Sequence, residues 1–137
     1  MDTKLQKLNA LVEQLATTEQ KRKQNLDRLK ELYGALQIDQ KVEDFSKLFE
    51  FKAINVTGLT LQKEQLCQTQ PNRYAQIIGI REGKNINLRY FGRAENLPKN
   101  ILHDICEFVL RWRLEKNYMN VEHYKELLNG LAARKVE

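Results

Sequence analysis

The sequence predicts an α+β protein with a long N-terminal coiled-coil helix, followed by a small domain with a three-stranded antiparallel sheet packed against two C-terminal helices. Three observations lead to this prediction. Residues 5–36 follow a heptad repeat, residues 51–91 contain stretches of alternating apolar and polar side chains, and residues 98–131 return to the helical period of three and four. We therefore divide the chain into a coiled-coil dimerisation helix over 1–37 and a compact α+β domain over 38–137.

The N-terminal helix has apolar residues at eight of the ten core positions of its heptad repeat. Glu19 and Arg22 are the exceptions, and they lie symmetrically about the midpoint. An antiparallel pair would place Glu19 opposite Arg22, whereas a parallel pair would place like charges together. The sequence thus predicts an antiparallel homodimer or higher oligomer. Its dimerisation residues are Leu5, Leu8, Val12, Leu15, Glu19, Arg22, Leu26, Leu29, Tyr33 and Leu36.

A second interpretation of the same helix is that it packs on its own domain. Leu11 and Leu32 widen the apolar stripe beyond a strict coiled-coil seam. Such a wider stripe is typical of a helix that covers a core or belongs to a bundle.

The segment between the first helix and the hairpin predicts a short helix over 40–49, capped by Asp39, and then a strand. Two apolar pairs in this strand are out of phase across Gly58. A β-bulge at that glycine would bring all four apolar residues to one face, so the segment is either one bulged strand or two short strands. These residues are Ile54, Val56, Leu59 and Leu61.

Residues 74–81 and 86–91 predict the clearest hairpin of the chain, joined by a turn that contains Gly83. Its alternation assigns five apolar residues to the core face, with Arg89 and Phe91 on the opposite face. The predicted core residues are Ile78, Ile80, Ile86, Leu88 and Tyr90.

Two amphipathic helices are predicted after Pro98, which suits the first turn of a helix. The first would cover the sheet with a stripe that includes Ile105, Phe108 and Trp112, and the second would begin near Asn120. On the outer side of the first helix, Glu107 and Arg111 are spaced for an ion pair.

The sequence offers no defensible catalytic or cofactor motif, so we expect neither an enzyme nor a bound cofactor. Four residues that could ligate a metal or perform chemistry cluster at 103–107, but their spacing places them largely on the polar side of the predicted helix. A zinc site would need Cys67, Cys106, His103 and His123, which lack the paired spacing of known zinc motifs.

The basic hairpin over 73–93 supports an alternative function, because cationic and aromatic side chains together suit phosphates and bases. The formal net charge of +5 is concentrated in this middle part of the chain. The candidate nucleic-acid-binding residues are Arg81, Lys84, Arg89, Phe91 and Arg93. The competing interpretation is that these cations solvate the open side of the sheet and protect an edge strand.

We expect a non-enzymatic interaction or assembly protein, either an adaptor or a structural protein, that pairs with itself and with another protein. A dimeric nucleic-acid-binding protein is the alternative. Two cysteines and the lack of a long apolar run indicate an intracellular protein without a membrane partner. The sequence does not distinguish a cytoplasmic from a nuclear or nucleoid location.

Overall fold

The computed structural model of the protein describes residues 3–135, apart from the side chains of residues 12–16 and 135. Two long helices flank a three-stranded sheet. The elements are α1 (Lys4–Ala35), β1 (Ala53–Thr57), β2 (Tyr74–Arg81), β3 (Lys84–Arg93) and α2 (Lys99–Lys135). The α+β class therefore fits, and the three strands form one antiparallel sheet in the order β1-β2-β3.

Helix α1 begins at a capping box, in which the Thr3 hydroxyl accepts a hydrogen bond from the Gln6 N–H at 3.2 Å and the Thr3 N–H donates to Gln6 Oε1 at 2.8 Å. The C-terminal half of the helix enters the hydrophobic core. There Leu29, Leu32 and Leu36 are buried, and the buried Tyr33 hydroxyl donates to a backbone carbonyl of the following loop. The core thus extends across the predicted domain boundary at residue 37.

The predicted architecture of an N-terminal coiled-coil helix beside a separate domain is therefore wrong. Half of α1 packs within the chain, and the dominant helix is the C-terminal one. The heptad repeat of α1 could not reveal this intramolecular packing, because the α2 residues that contact α1 are more than 70 residues away in sequence.

The prediction of two C-terminal helices is also wrong, because α2 runs without interruption for 37 residues. Residues 114–119 contain neither Gly nor Pro, so nothing in them breaks a helix. Ile105, Phe108, Val109 and Trp112 of α2 are buried in the core. The Trp112 indole N–H donates to the Leu48 carbonyl at 2.9 Å, which fixes α2 against the connecting loop.

The connecting segment differs from the predicted helix over 40–49. It forms two short 3₁₀ turns, Ile38–Gln40 and Phe45–Glu50, and the second is capped by Asp44 rather than by Asp39. The Asp44 carboxylate accepts a hydrogen bond from the Ser46 N–H at 3.1 Å, and hydrogen bonds with the side chain and then the backbone of Ser46 lower the pKa of Asp44.

At Gly58 the structure has a turn instead of the predicted β-bulge, because β1 ends at Thr57 and Leu59 forms an isolated bridge with Thr69. The φ of Gly58 is +80°, and a Cβ there would lie 2.7 Å from the Tyr74 carbonyl oxygen, so the turn requires glycine. The four apolar residues on either side reach the core. Ile54 and Leu59 are buried, while Val56 and Leu61 are half-buried against it.

The predicted core face of the hairpin is wrong in its first strand. Ala75, Ile77 and Gly79 of β2 are buried, whereas Ile78 and Ile80 lie on the outer face. Gly79 lies beneath the Phe51 ring, where a Cβ would come within 2.6 Å of a ring carbon. In β3, Ile86 and Leu88 contact the core as predicted, but Tyr90 is exposed. Register shifts in the β2–β3 pairing interrupt the simple alternation of core-facing and outward-facing residues along the two strands.

Candidate interaction surface

Helices α1 and α2 are antiparallel and held together by polar contacts. Arg28 Nη2 lies 2.9 Å from Glu107 Oε1, and Arg22 Nη2 lies 2.8 Å from Glu115 Oε1. Between them, the buried Asn25 donates to the Arg111 carbonyl and accepts from the Arg111 guanidinium, both at 3.0 Å. Moving back three residues along α1 thus moves forward four along α2, which fixes the direction and register of the pair.

Glu107 is the centre of this polar contact. Besides Arg28, it accepts a hydrogen bond from Arg111 Nε at 2.7 Å, as the spacing of the two residues predicted. Hydrogen bonds from Arg28, opposed by partial burial and reinforced by Arg111, lower the pKa of Glu107 to about 2. Glu107 also lies close to His103 and Asp104, but its carboxylate is already neutralised by two guanidinium groups, which disfavours a metal ion at this cluster.

A second stripe of α2 is apolar and exposed. It repeats at steps of four and three residues over three heptads, the spacing of a coiled-coil seam. We call this set the α2 seam. It consists of Leu110, Leu114, Asn117, Val121, Tyr124, Leu128 and Leu131. Leu110 and Leu114 are 38% and 40% exposed, and the four apolar residues from Val121 onward are each more than half exposed.

The α2 seam is a face of its own. Four of its residues precede by one position the residues that contact α1, namely Arg111, Glu115, Tyr118 and Glu122. Consecutive residues on a helix are about 100° apart, so the two stripes point in different directions. Leu110 and Leu114 are each two residues from the buried Trp112, which places them on nearly the opposite side of the helix from that side chain, and they line a cavity with Cys67 and the buried Cys106. The seam therefore points away from α1, and it borders the core at its first two residues.

The predicted dimerisation residues divide into three groups. Leu29, Tyr33 and Leu36 are buried in the core of their own domain, and Leu26 is half-buried. Arg22 forms ion pairs with Glu115 and Glu122 of the same chain, while Glu19 is exposed. Leu5 and Leu8 are exposed, and the side chains of Val12 and Leu15 lie outside the described residues. The structure thus uses the C-terminal half of this stripe within the chain.

The candidate nucleic-acid-binding residues are partly engaged in the fold. The Arg89 guanidinium donates to the Leu36 carbonyl at 3.1 Å and lies 5.1 Å from the Phe91 ring centroid. Phe91 packs against the core rather than pointing away from it, which corrects its predicted orientation. Arg81 lies 5.1 Å from the Phe51 ring centroid. Lys84 and Arg93 are exposed, and the structure does not gather these residues into one cationic site.

The sulfur and imidazole groups are only partly brought together. Cys67, His103 and Cys106 line one cavity of about 280 Å³ at the end of the α2 seam nearest the core. His123 lies 17 residues further along α2, about 25 Å away. The four candidate zinc ligands therefore do not form a single site.

Known proteins offer no guide to this surface. No protein-family model matches the chain, and no curated protein or solved structure matches it significantly. Within residues 3–135, no helix is long and apolar enough to span a membrane.

The sequence contained the signal for the α2 seam, because its heptad spacing can be read directly from residues 110–131. The prediction of a break between two helices concealed the spacing. Once α2 is continuous, Leu110 and Leu114 fall in phase with Tyr124, Leu128 and Leu131.

Proposed function

We propose that this protein is a non-enzymatic assembly protein whose self-association is mediated by the α2 seam. The observation that carries the proposal is a three-heptad apolar stripe, exposed along its whole length, on a face that neither the core nor α1 occupies. Contiguous exposed apolar surfaces of this kind mark interaction sites. The partner that fits best is a second copy of the same helix.

Asn117 favours a parallel arrangement of the two copies. In a parallel, in-register pair, each seam residue meets its own copy, so Asn117 would hydrogen-bond to Asn117 and every other layer would be apolar. In the antiparallel registers with the largest overlap, Asn117 would instead meet Leu114, Val121 or Leu128. That arrangement buries an amide without a partner, which costs about 1–3 kcal/mol for each copy.

The residues beside the α2 seam are compatible with this arrangement. In a parallel pair, each flanking residue meets the residue five positions later on the partner helix. These pairs would be Arg113 with Tyr118, Asn120 with Lys125, and Leu127 with Ala132. None brings like charges together.

The N-terminal half of α1 and the C-terminal half of α2 also carry little net charge. Residues 4–21 and 117–134 together contain five basic and four acidic side chains. Two copies can therefore approach here without the repulsion that the excess positive charge elsewhere would produce.

The consequence of parallel pairing is that two α+β domains lie side by side at one end of the dimer. Such an assembly presents two identical surfaces to a common partner and increases its apparent affinity through effective concentration. This arrangement supports an adaptor or structural role and needs no chemistry at the surface.

The proposal is tested by light scattering coupled to size-exclusion chromatography. We expect the natural chain to elute as a dimer and Leu128→Lys to elute as a monomer, because parallel pairing would bury two facing ammonium groups. Asn129→Lys is the matched control, since it adds the same charge at the next residue, away from the α2 seam. A monomeric natural chain, or a Leu128→Lys variant that remains dimeric, would overturn the proposal.

A further inference from the structure

The loop between β1 and β2 brings the two cysteines of the chain to one place. Cys67 has a φ of +65°, an unusual conformation for a residue other than glycine, and its thiol lies 4.0 Å from the Leu102 carbonyl oxygen. That carbonyl lies one helical turn before Cys106 and is the normal acceptor for the Cys106 N–H. The Cys67 side chain therefore lies beside the helical turn that ends at Cys106.

The two thiols also share a cavity. Both line the cavity at the end of the α2 seam nearest the core, together with Leu66 and Leu110. Burial, and then the neighbouring Cys67 thiol, raise the pKa of the Cys106 thiol. Cys106 is 1% exposed, whereas Cys67 is half-buried and can be reached by solvent.

We propose that Cys67 and Cys106 form a dithiol site that small-molecule disulfides oxidise to an internal disulfide. The site would take an organic disulfide of the oxidised-glutathione class as its substrate. This inference does not require the proposed self-association, because both sulfurs belong to one chain and neither cysteine is a residue of the α2 seam.

The reaction proceeds by two thiol–disulfide exchanges. The Cys67 thiolate attacks one sulfur of the small disulfide, its S–S bond breaks, and one small thiolate leaves. The Cys106 thiolate then attacks the Cys67 sulfur and displaces the second small thiolate. Overall, two protein thiols are oxidised, one small disulfide is reduced to two thiols, and the two protein protons pass to those thiols.

The order of the steps follows from exposure and acidity. Cys67 reacts first because it is the accessible sulfur, whereas the buried Cys106 with its raised pKa holds little thiolate at neutral pH. The second step should therefore be the slower one, and it should accelerate as the pH rises.

The experiment treats the full chain with oxidised glutathione and measures intact mass, followed by peptide mapping without reductant. We expect the final product to have lost two hydrogen atoms, to carry no glutathione, and to yield a peptide that links residues 67 and 106. Dithiothreitol should restore the original mass.

Two variants assign the roles of the two sulfurs. Cys106→Ala should stop at a stable glutathione adduct on Cys67, and Cys67→Ala should remain unmodified while folded, as checked by circular dichroism. A natural chain that keeps its adduct, retains two free thiols, or forms a disulfide between chains would overturn the proposal. The mapping of the natural chain decides the matter even if a variant fails to fold.

Discussion

Two stripes run side by side along α2, one residue apart, and they differ in every physical respect. The stripe through Arg111, Glu115 and Glu122 is charged, and its groups are paired with Arg22 and Asn25 of α1. The α2 seam is apolar apart from Asn117, and its residues are exposed, with Leu110 and Leu114 lining a cavity beside the buried Cys106. Directional ion pairs set one intramolecular geometry, whereas an exposed apolar stripe gains free energy only by burial against another surface.

The largest effect should come from breaking the charged stripe. Glu115 is 2% exposed, and one of its oxygens has no hydrogen-bond partner among the described residues. In Arg22→Ala the buried carboxylate loses its cation, so we expect the free energy of unfolding to fall by about 3–5 kcal/mol. Urea denaturation measures this loss, with Lys23→Ala as the control because it removes the adjacent, exposed cation. Equal stability of the two variants would show that the charged stripe does not hold α1 in place.

A smaller effect on the same stripe should appear in the pH dependence of stability. The pKa of Glu107 is about 2 in the folded protein, below its ordinary value of 4.5, so the folded state binds this proton less readily than the unfolded state. Its contribution, up to about 3 kcal/mol, is therefore present above pH 4.5 and is lost as the pH falls toward 2.

Thermal unfolding between pH 2 and pH 6 checks this expectation. Glu107→Gln should show a flatter pH profile than the natural chain, whereas the exposed Glu64→Gln should keep the natural slope. Parallel profiles for the natural chain and Glu107→Gln would contradict the assignment.

On the α2 seam, Asn117→Leu should increase the difference between the two stripes, because it makes the seam wholly apolar. We expect self-association to tighten by about 1–2 kcal/mol while parallel pairing loses its preference. Orientation can be measured by oxidative cross-linking of Leu131→Cys in a chain whose natural cysteines are replaced by alanine. Parallel pairing brings the two introduced thiols together, whereas antiparallel pairing separates them by about 25 Å or more. In the chain that retains Asn117, efficient cross-linking would support the parallel pair, and a lack of cross-linking would contradict the parallel pair.

The smallest effect is expected at the N-terminal end of α1. Leu8 is exposed, but it does not belong to the α2 seam. Leu8→Lys should therefore leave the molar mass in light scattering unchanged at the protein concentrations where Leu128→Lys is a monomer. A monomeric Leu8→Lys variant would show that the interface involves the N-terminal end of α1.

The fold was predictable where local patterns are governed by local physics. The stripe from Ile105 to Trp112 follows from periodicity, and the interruption of the strand pattern at Gly58 follows from the change of phase across a glycine. The hairpin face was not predictable, because the register shifts in the β2–β3 pairing leave no sequence mark as clear as a glycine. The partner of α1 was not predictable either, since a heptad specifies an apolar face without specifying which helix covers it.

The candidate site could be predicted in its residues but not in its availability. Leu110, Leu114 and Leu128 carry their spacing in the sequence, yet the same spacing in Leu29 and Leu36 belongs to a buried core. Only the packing of α1 and the sheet shows which apolar stripe remains uncovered.

The exposed C-terminal part of α2 has a further consequence for local unfolding. Every described residue from Met119 to Arg134 is exposed, and this stretch includes Gly130, which lowers helix propensity by about 1 kcal/mol relative to alanine. A helical segment of this length that buries none of its described side chains is only marginally stable in water. Its amide hydrogens should therefore exchange rapidly in the monomer and become protected as protein concentration rises, so that completion of the helix and association of the two chains are one coupled equilibrium.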